Sequence, residues 1–191
     1  MSIDKNLNQV CKGCAGKIHP YDRLISVTVY KEPIVSLIYL FKYKNYDYIA
    51  ELLASLMQRH LLKIGFDACG YHFITSVAMH KHKLKMRGYN QADILAKLLS
   101  NYFKIPFKND IINDTNIRSS QTKLTLYKRQ KNVKDAFIVK KDLKNKRIIL
   151  VDDIFTTGAT IRSCCQALKN KGAEIITVLT LSKTQQAKIL A

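Results

Sequence analysis

An α/β fold, with a mostly parallel sheet flanked by helices, is the architecture this sequence predicts, and three observations carry it. Arg147-Ile148-Ile149-Leu150-Val151 is a near-continuous apolar run, as expected of a parallel strand covered on both faces. A helical pattern over 159–171 stops at Gly172, and a second apolar strand follows over 174–181, which completes a βαβ unit. The whole chain has 191 residues, 47% hydrophobic and 24% charged, which is enough for one domain with a real core. The polar, Cys-containing start is set apart as a segment over 1–24, and the main domain as 25–191.

The remaining elements follow in chain order. Leu24–Tyr30 alternates as a half-exposed strand does. Pro33 sits where a first helical turn tolerates it, and Ile34, Val35, Leu37, Ile38 and Phe41 then share one helical face. Over 49–63 an apolar stripe from Ile49 to Leu61 predicts a second helix, stopped by Gly65. Residues 73–79 read as a buried strand. Residues 80–89 read as a basic loop without an acid. Asn90 is placed to cap a helix over 91–103, where Ile94, Leu95, Leu98 and Leu99 share a face. Ala136–Val139 looks like a short strand inside a strongly basic stretch.

Composition limits the function. Lys plus Arg is 32 and Asp plus Glu is 14, a net charge of +18. AT-rich codon usage alone would enrich Lys, Ile and Asn, yet it does not explain the scarcity of Glu. The excess favours a polyanionic partner. Only 7 Gly and 3 Pro are present, which excludes collagen-like and low-complexity classes. The first residues are polar, with no apolar signal core, and the longest apolar stretch, near 34–41, is far short of the ~20 residues a bilayer span needs. A cytoplasmic protein is the expectation, and five cysteines without an export signal do not read as a disulfide framework.

The chemistry concentrates in the thirteen residues 148–160. A buried strand ends on two adjacent carboxylates, Asp152 and Asp153, at the strand end where α/β sheets place ligands. Thr156, Thr157, Gly158, Ala159 and Thr160 follow and lead into a helix, whose free N–H groups and positive dipole end face the loop. Amides and Thr hydroxyls donate to a phosphate, and a glycine lets the backbone approach it. The carboxylates would repel that phosphate, so they suit the hydroxyls of an attached sugar or a Mg²⁺ ion. Phosphate and diol read by one loop point to a ribose 5-phosphate. The Gly-x-x-x-x-Gly-Lys-Ser/Thr and Gly-x-Gly-x-x-Gly phosphate motifs are both absent.

Val151 through Thr160 resembles the phosphoribosyl pyrophosphate (PRPP) loop of type I phosphoribosyltransferases. Arg87-Gly88-Tyr89-Asn90-Gln91-Ala92, with Arg129 and Asn132 through Phe137, narrows the likeness to the ComF family of competence proteins and its GntX-like relatives, over residues 11–182. That resemblance implies a type I phosphoribosyltransferase-like fold behind a small zinc-binding module, and a role in uptake or handling of single-stranded DNA during natural transformation. It implies that Asp152 and Asp153, the expected catalytic pair, hold the ribose hydroxyls, that residues 156–160 hold the 5-phosphate, and that Mg²⁺ accompanies PRPP. The pyrophosphate loop falls at Ser76–His80, with Ser76 and Ala78 where relatives usually have prolines. Ala78, Met79, His80, Lys81 and Arg87 are its candidate contacts, with Lys83 and Lys85 beside them. Competence helicase or uptake proteins are the implied partners. A nucleobase-salvage phosphoribosyltransferase is an alternative, though Ser182–Lys188 offers no aromatic to stack a base. A non-catalytic DNA-binding module that keeps the loop is another.

Outside that segment the residues are less specific. Cys11 and Cys14 are half of a zinc site, since closed structural zinc takes four ligands; His19 and Cys69 are candidates to complete it. Cys164, Cys165 and His60 read as core. Tyr39, Phe41, Tyr43, Tyr46 and Tyr48 interleave with Lys42 and Lys44, a pattern that can hold single-stranded nucleic acid, but helical spacing predicts that several are buried. Lys42, Lys44, Arg118, Arg129 and Lys131 are the candidate DNA contacts.

Overall fold

The computed structural model describes residues 18–43, 47–114 and 136–184. A four-stranded parallel sheet in the order β1-β6-β5-β2 forms the centre. The strands are β1 (Arg23–Val29), β2 (Phe73–Ser76), β5 (Arg147–Phe155) and β6 (Ile175–Lys183). A separate antiparallel pair, β3 (Ile112–Asp114) and β4 (Phe137–Val139), stands beside it. The helices are α1 (Ile34–Tyr43), α2 (Asp47–Lys63), α3 (Lys81–Arg87), α4 (Gln91–Phe103) and α5 (Ala159–Lys169). The βαβ unit of the sequence is β5-α5-β6, with Val151 opposite Leu179 and Arg147 opposite Ile175.

The period of two in β5 sorts its side chains into two cores. Ile149 and Val151 face one cluster with α1, α2 and α4, through Ile38, Phe41, Leu53 and Leu95. Ile148 and Leu150 face the other, with α5 and the β3-β4 pair, through Ile161, Leu168, Ile112 and Val139. Both faces of the strand are therefore covered, which is why its sequence shows no alternation. Cys164 and Cys165 lie fully buried in the second cluster, as expected. Burial holds the Cys164 thiol far above its ordinary value and raises that of Cys165 to about 12, so both stay protonated packing groups.

Four sequence expectations change. Residues 80–89 hold a two-turn helix, α3, rather than a loop. It was hidden because it buries no residue and so carries no apolar stripe, although Lys, Leu, Met and Arg are all good helix formers. Strand β2 stops at Ser76, three residues early. Strand β5 runs on through both aspartates to Phe155, because β6 continues to pair with it. The aromatic cluster does not bury: Phe41 is 1% exposed, but Tyr39, Tyr43 and Tyr48 are 57%, 57% and 64% exposed. They sit on the outer faces of α1 and α2, since the inner face is already filled by aliphatic side chains. Strand β3 was not foreseen at all; three residues are too few to show a period. Leu53→Ala, at 0% exposure, should cost roughly 2–5 kcal/mol, seen as a lower urea midpoint with an unchanged slope.

Candidate functional site

The site follows from where the sheet stops. Strand β2 pairs with β5 only as far as Ser76 opposite Val151, and one more bond, Val77 N–H to the Val151 carbonyl, closes the ladder. On its other side β5 stays paired, with Asp152 opposite Thr180 and Ile154 opposite Ser182. Asp152 and Asp153 thus ride on a strand that is held on one edge and open on the other. A cleft of about 270 Å³ occupies the open edge.

Five pieces of chain converge on it. Asp152, Asp153, Thr156 and Thr160 come from the end of β5 and the start of α5. Ala78, Met79 and His80 come from the segment after β2, and Lys83 and Arg87 from α3. Asn90 and Gln91 open α4, Lys42 reaches in from α1, and Asp114 with Phe137 come from the β3-β4 pair. Among the described residues, most of the site candidates singled out in the sequence therefore meet in one place, while Thr157, Gly158 and Ala159 stand behind the lining. Lys81 is exposed and does not line the cleft; Lys83 does. Cys11, Cys14, Lys44, Tyr46, Arg118, Arg129 and Lys131 lie outside the described residues.

The two aspartates are held by unlike means. Lys42 Nζ lies 2.6 Å from Asp153 Oδ2, with both side chains less than one-fifth exposed. Asp152 Oδ1 accepts the Asp153 backbone N–H at 2.9 Å, and Asp153 Oδ1 accepts the Ile154 N–H at 2.7 Å. Burial and the adjacent Asp153 charge push the Asp152 carboxyl well above the usual carboxylate range, and Lys42 pulls it back only partly.

The loop before α5 is fixed by Gly158, which stands at φ 73° in the N-cap position, with no side chain capping the helix there. A Cβ on Gly158 would sit 2.4 Å from Phe155 Cζ and 2.8 Å from Arg162 Nη1, so only glycine fits. Arg162 Nη1 donates to the Thr157 carbonyl at 2.9 Å and pins the turn from outside. At the start of α5 the Ala159 N–H donates to Thr157 Oγ1 at 3.4 Å, beside exposed Thr156 and Thr160.

The opposite wall is pinned by Asn90, as its capping role predicted. Its Oδ1 accepts the Ala92 N–H at 3.2 Å, while its Nδ2 donates to the Val77 carbonyl at 3.0 Å and to Asp93 Oδ1 at 2.8 Å. Ser76 donates to the same carboxylate oxygen, and burial raises the Asp93 pKa. Ser76 so ties the end of β2 to α4. Gln91 is the residue sequence reasoning passed over as a binding group. It is 1% exposed, its Oε1 accepts from Arg87 Nη1 at 3.2 Å, and its buried Nε2 has no partner although it lines the cleft. A buried donor without an acceptor is costly, and an anion in the cleft would relieve it. Only its place in the Arg87–Ala92 run could have flagged it. No group of three or more His, Cys, Asp or Glu side chains gathers to hold a metal among the described residues, and no helix among them is long and apolar enough to cross a membrane.

Comparison with known proteins bears on this cleft. The family described as "Phosphoribosyl transferase domain" matches residues 84–189, more than half of the chain. The chain is 31% identical over 186 residues to "Competence protein F" of Haemophilus influenzae, covering 92% of this chain and 79% of that one. It is 29% identical to "DNA utilization protein YhgH" of Escherichia coli, covering 91% and 78%. Among solved structures it resembles the glutamine PRPP amidotransferase of B. subtilis with a TM-score of 0.50 and 15% identity, over 87% of this chain and 32% of that one, a likeness of fold alone.

Two outcomes follow from the site's geometry. Asp152→Asn keeps an acceptor for the Asp153 N–H and removes one of two adjoining charges. A carboxyl with a raised folded-state pKa stabilises the fold below its unfolded value and loses that contribution as pH rises through the folded value. The variant should therefore melt higher than the parent at pH 8, by about 2–4 °C for each kcal/mol relieved, and the gain should vanish towards pH 4. Gly158→Ala should melt several degrees lower in calorimetry, because strain at positive φ and the clash with Phe155 add.

Proposed function

Because this chain belongs to the phosphoribosyl transferase domain family, as a ComF-type member, we propose that its cleft binds PRPP with Mg²⁺ and that the protein serves the handling of single-stranded DNA. One observation carries the first half: a carboxylate pair, two threonines at the helix start and three cations line the same cleft. Asp152 and Asp153 accept hydrogen bonds from the ribose hydroxyls. The amides of residues 157–160 and the Thr156 and Thr160 hydroxyls donate to the 5-phosphate. Lys42, Lys83 and Arg87, with the unpaired Gln91 Nε2, face the diphosphate. Asp152 and Asp153 would hold a Mg²⁺ ion bound with PRPP, which would supply positive charge to offset that of the diphosphate.

In a transfer reaction the C1–O bond to diphosphate breaks and the leaving group keeps the electron pair. The acceptor's nucleophile forms the new bond to C1 and releases its proton. Negative charge grows on the leaving group next to Lys83 and Arg87, and positive charge grows on the ribose next to Asp152 and Asp153. Electrostatic placement is what these side chains contribute. The relatives named for competence and DNA utilization, together with the net charge of +18, support the second half. Lys44, Arg118, Arg129 and Lys131 remain its proposed backbone contacts.

Titration calorimetry should show saturable PRPP binding in the presence of Mg²⁺. Replacing both aspartates, Asp152→Asn with Asp153→Asn, should weaken it at least roughly tenfold, since each hydrogen bond to a charged group is worth about 1.5–3 kcal/mol. No heat with the wild-type protein would sink the PRPP reading. Oligonucleotide affinity should fall steeply with salt as counterions are released. Its absence at ~50 mM salt would sink the DNA reading.

A further inference from the structure

A second cleft, of about 250 Å³, adjoins the first and is lined by Lys42, Tyr43, Lys83, Met86, Arg87 and Tyr89. Three of these six, Lys42, Lys83 and Arg87, also line the larger cleft, so a wall of cations separates the two. Arg87 is the hinge of that wall. Its Nη1 donates to Gln91 Oε1 at 3.2 Å on the side of the larger cleft, and its Nη2 donates to the Tyr43 hydroxyl at 3.4 Å on the other. Its guanidinium carbon stands 5.3 Å from the centre of the Tyr43 ring. The Tyr39 ring follows 5.0 Å further along α1. Tyr89 closes the back, its hydroxyl donating to the Phe41 carbonyl. Met86 is 76% exposed at the mouth.

These residues specify a ligand. A tyrosine that is 57% exposed and a thioether suit a flat π-system, and the cations suit a phosphate attached to it. No acid is among the six, so an anion meets no repulsion inside this cleft. Bases in a duplex keep their faces stacked and cannot enter such a cleft, whereas a single strand offers them. We propose that the cleft between α1 and α3 seats one base of single-stranded DNA against Tyr43, with its phosphate on Lys83 and Arg87, the two wall cations that no aspartate pairs among the described residues. That nucleotide then lies directly beside the phosphoribosyl site. The inference rests on the DNA half of the function proposed above and adds to it a place and a contact.

The test uses the full chain and a fluorescein-labelled oligothymidylate of about twelve nucleotides, within the usual single-strand site size. Tyr43→Ala should weaken oligonucleotide binding roughly five- to hundredfold, the range expected for one lost base–aromatic stack. Tyr43→Phe should stay near wild type, because the ring remains. Tyr48→Ala, on the equally exposed start of α2, should change nothing. PRPP affinity read on Tyr43→Ala should fall much less than oligonucleotide affinity. Wild-type-like binding by Tyr43→Ala overturns the inference and leaves the DNA reading standing. An equal loss for both ligands also overturns it, since Tyr43 would then merely hold Arg87. Absent oligonucleotide binding by the wild-type protein removes this inference and the DNA reading together, while absent PRPP binding alone removes only the other half.

Discussion

Two adjoining carboxylates at the end of a buried strand are electrostatically unfavourable, and the organisation of the cleft answers that constraint. The strand itself cannot yield: β5 is covered on both faces and is paired along one whole edge, to Lys183 at its end. Relief has to come from neighbours. Asp153 takes an ammonium from α1, Asp152 takes a backbone amide and a shift towards its neutral form, and the early end of β2 leaves room for solvent or a ligand. A strand that ends three residues sooner than its apolar run suggests is therefore part of the site, not an irregularity.

The same constraint explains why α1 matters so far from the phosphate loop in sequence. Lys42 is separated from Asp153 by more than a hundred residues, yet it is less than one-fifth exposed and closes the charge of the pair. Its stem lies between two clefts, and α1 presents tyrosines to solvent beside it. One helix thus buries Ile38 and Phe41 against the sheet, turns Lys42 into the cleft and offers aromatic rings to the outside.

How much of this could be read from residues alone depended on whether a feature was local. The strand β5, the helix α5, the Asn90 cap and the loop 152–160 are contiguous stretches whose period or residue types declare them. The meeting of Lys42 with Asp153, of Ser76 with Asp93 and of Arg87 with Gln91 is tertiary, and no period reports it. Helix α3 buries nothing and so gave no stripe, which turned a helix into an expected loop. The aromatic residues at 39, 43 and 48 failed for a different reason: their spacing is helical, but the inner face they would have filled is taken by Ile38, Phe41 and Leu53.

The ring beneath Gly158 has a consequence for how such chains can drift. Two separate barriers guard that position: the left-handed backbone at φ 73°, and Phe155 Cζ only 2.4 Å from where a methyl would stand. Trimming Phe155 first would remove one barrier, at the expense of the second core cluster, and would leave the other intact. Mutational paths away from glycine here are thus biased, a change at 158 costing less once position 155 has been trimmed, although the intermediate is the less well-packed protein. Pairwise dependence of that kind should show itself as covariation between the two positions wherever the turn has been reshaped.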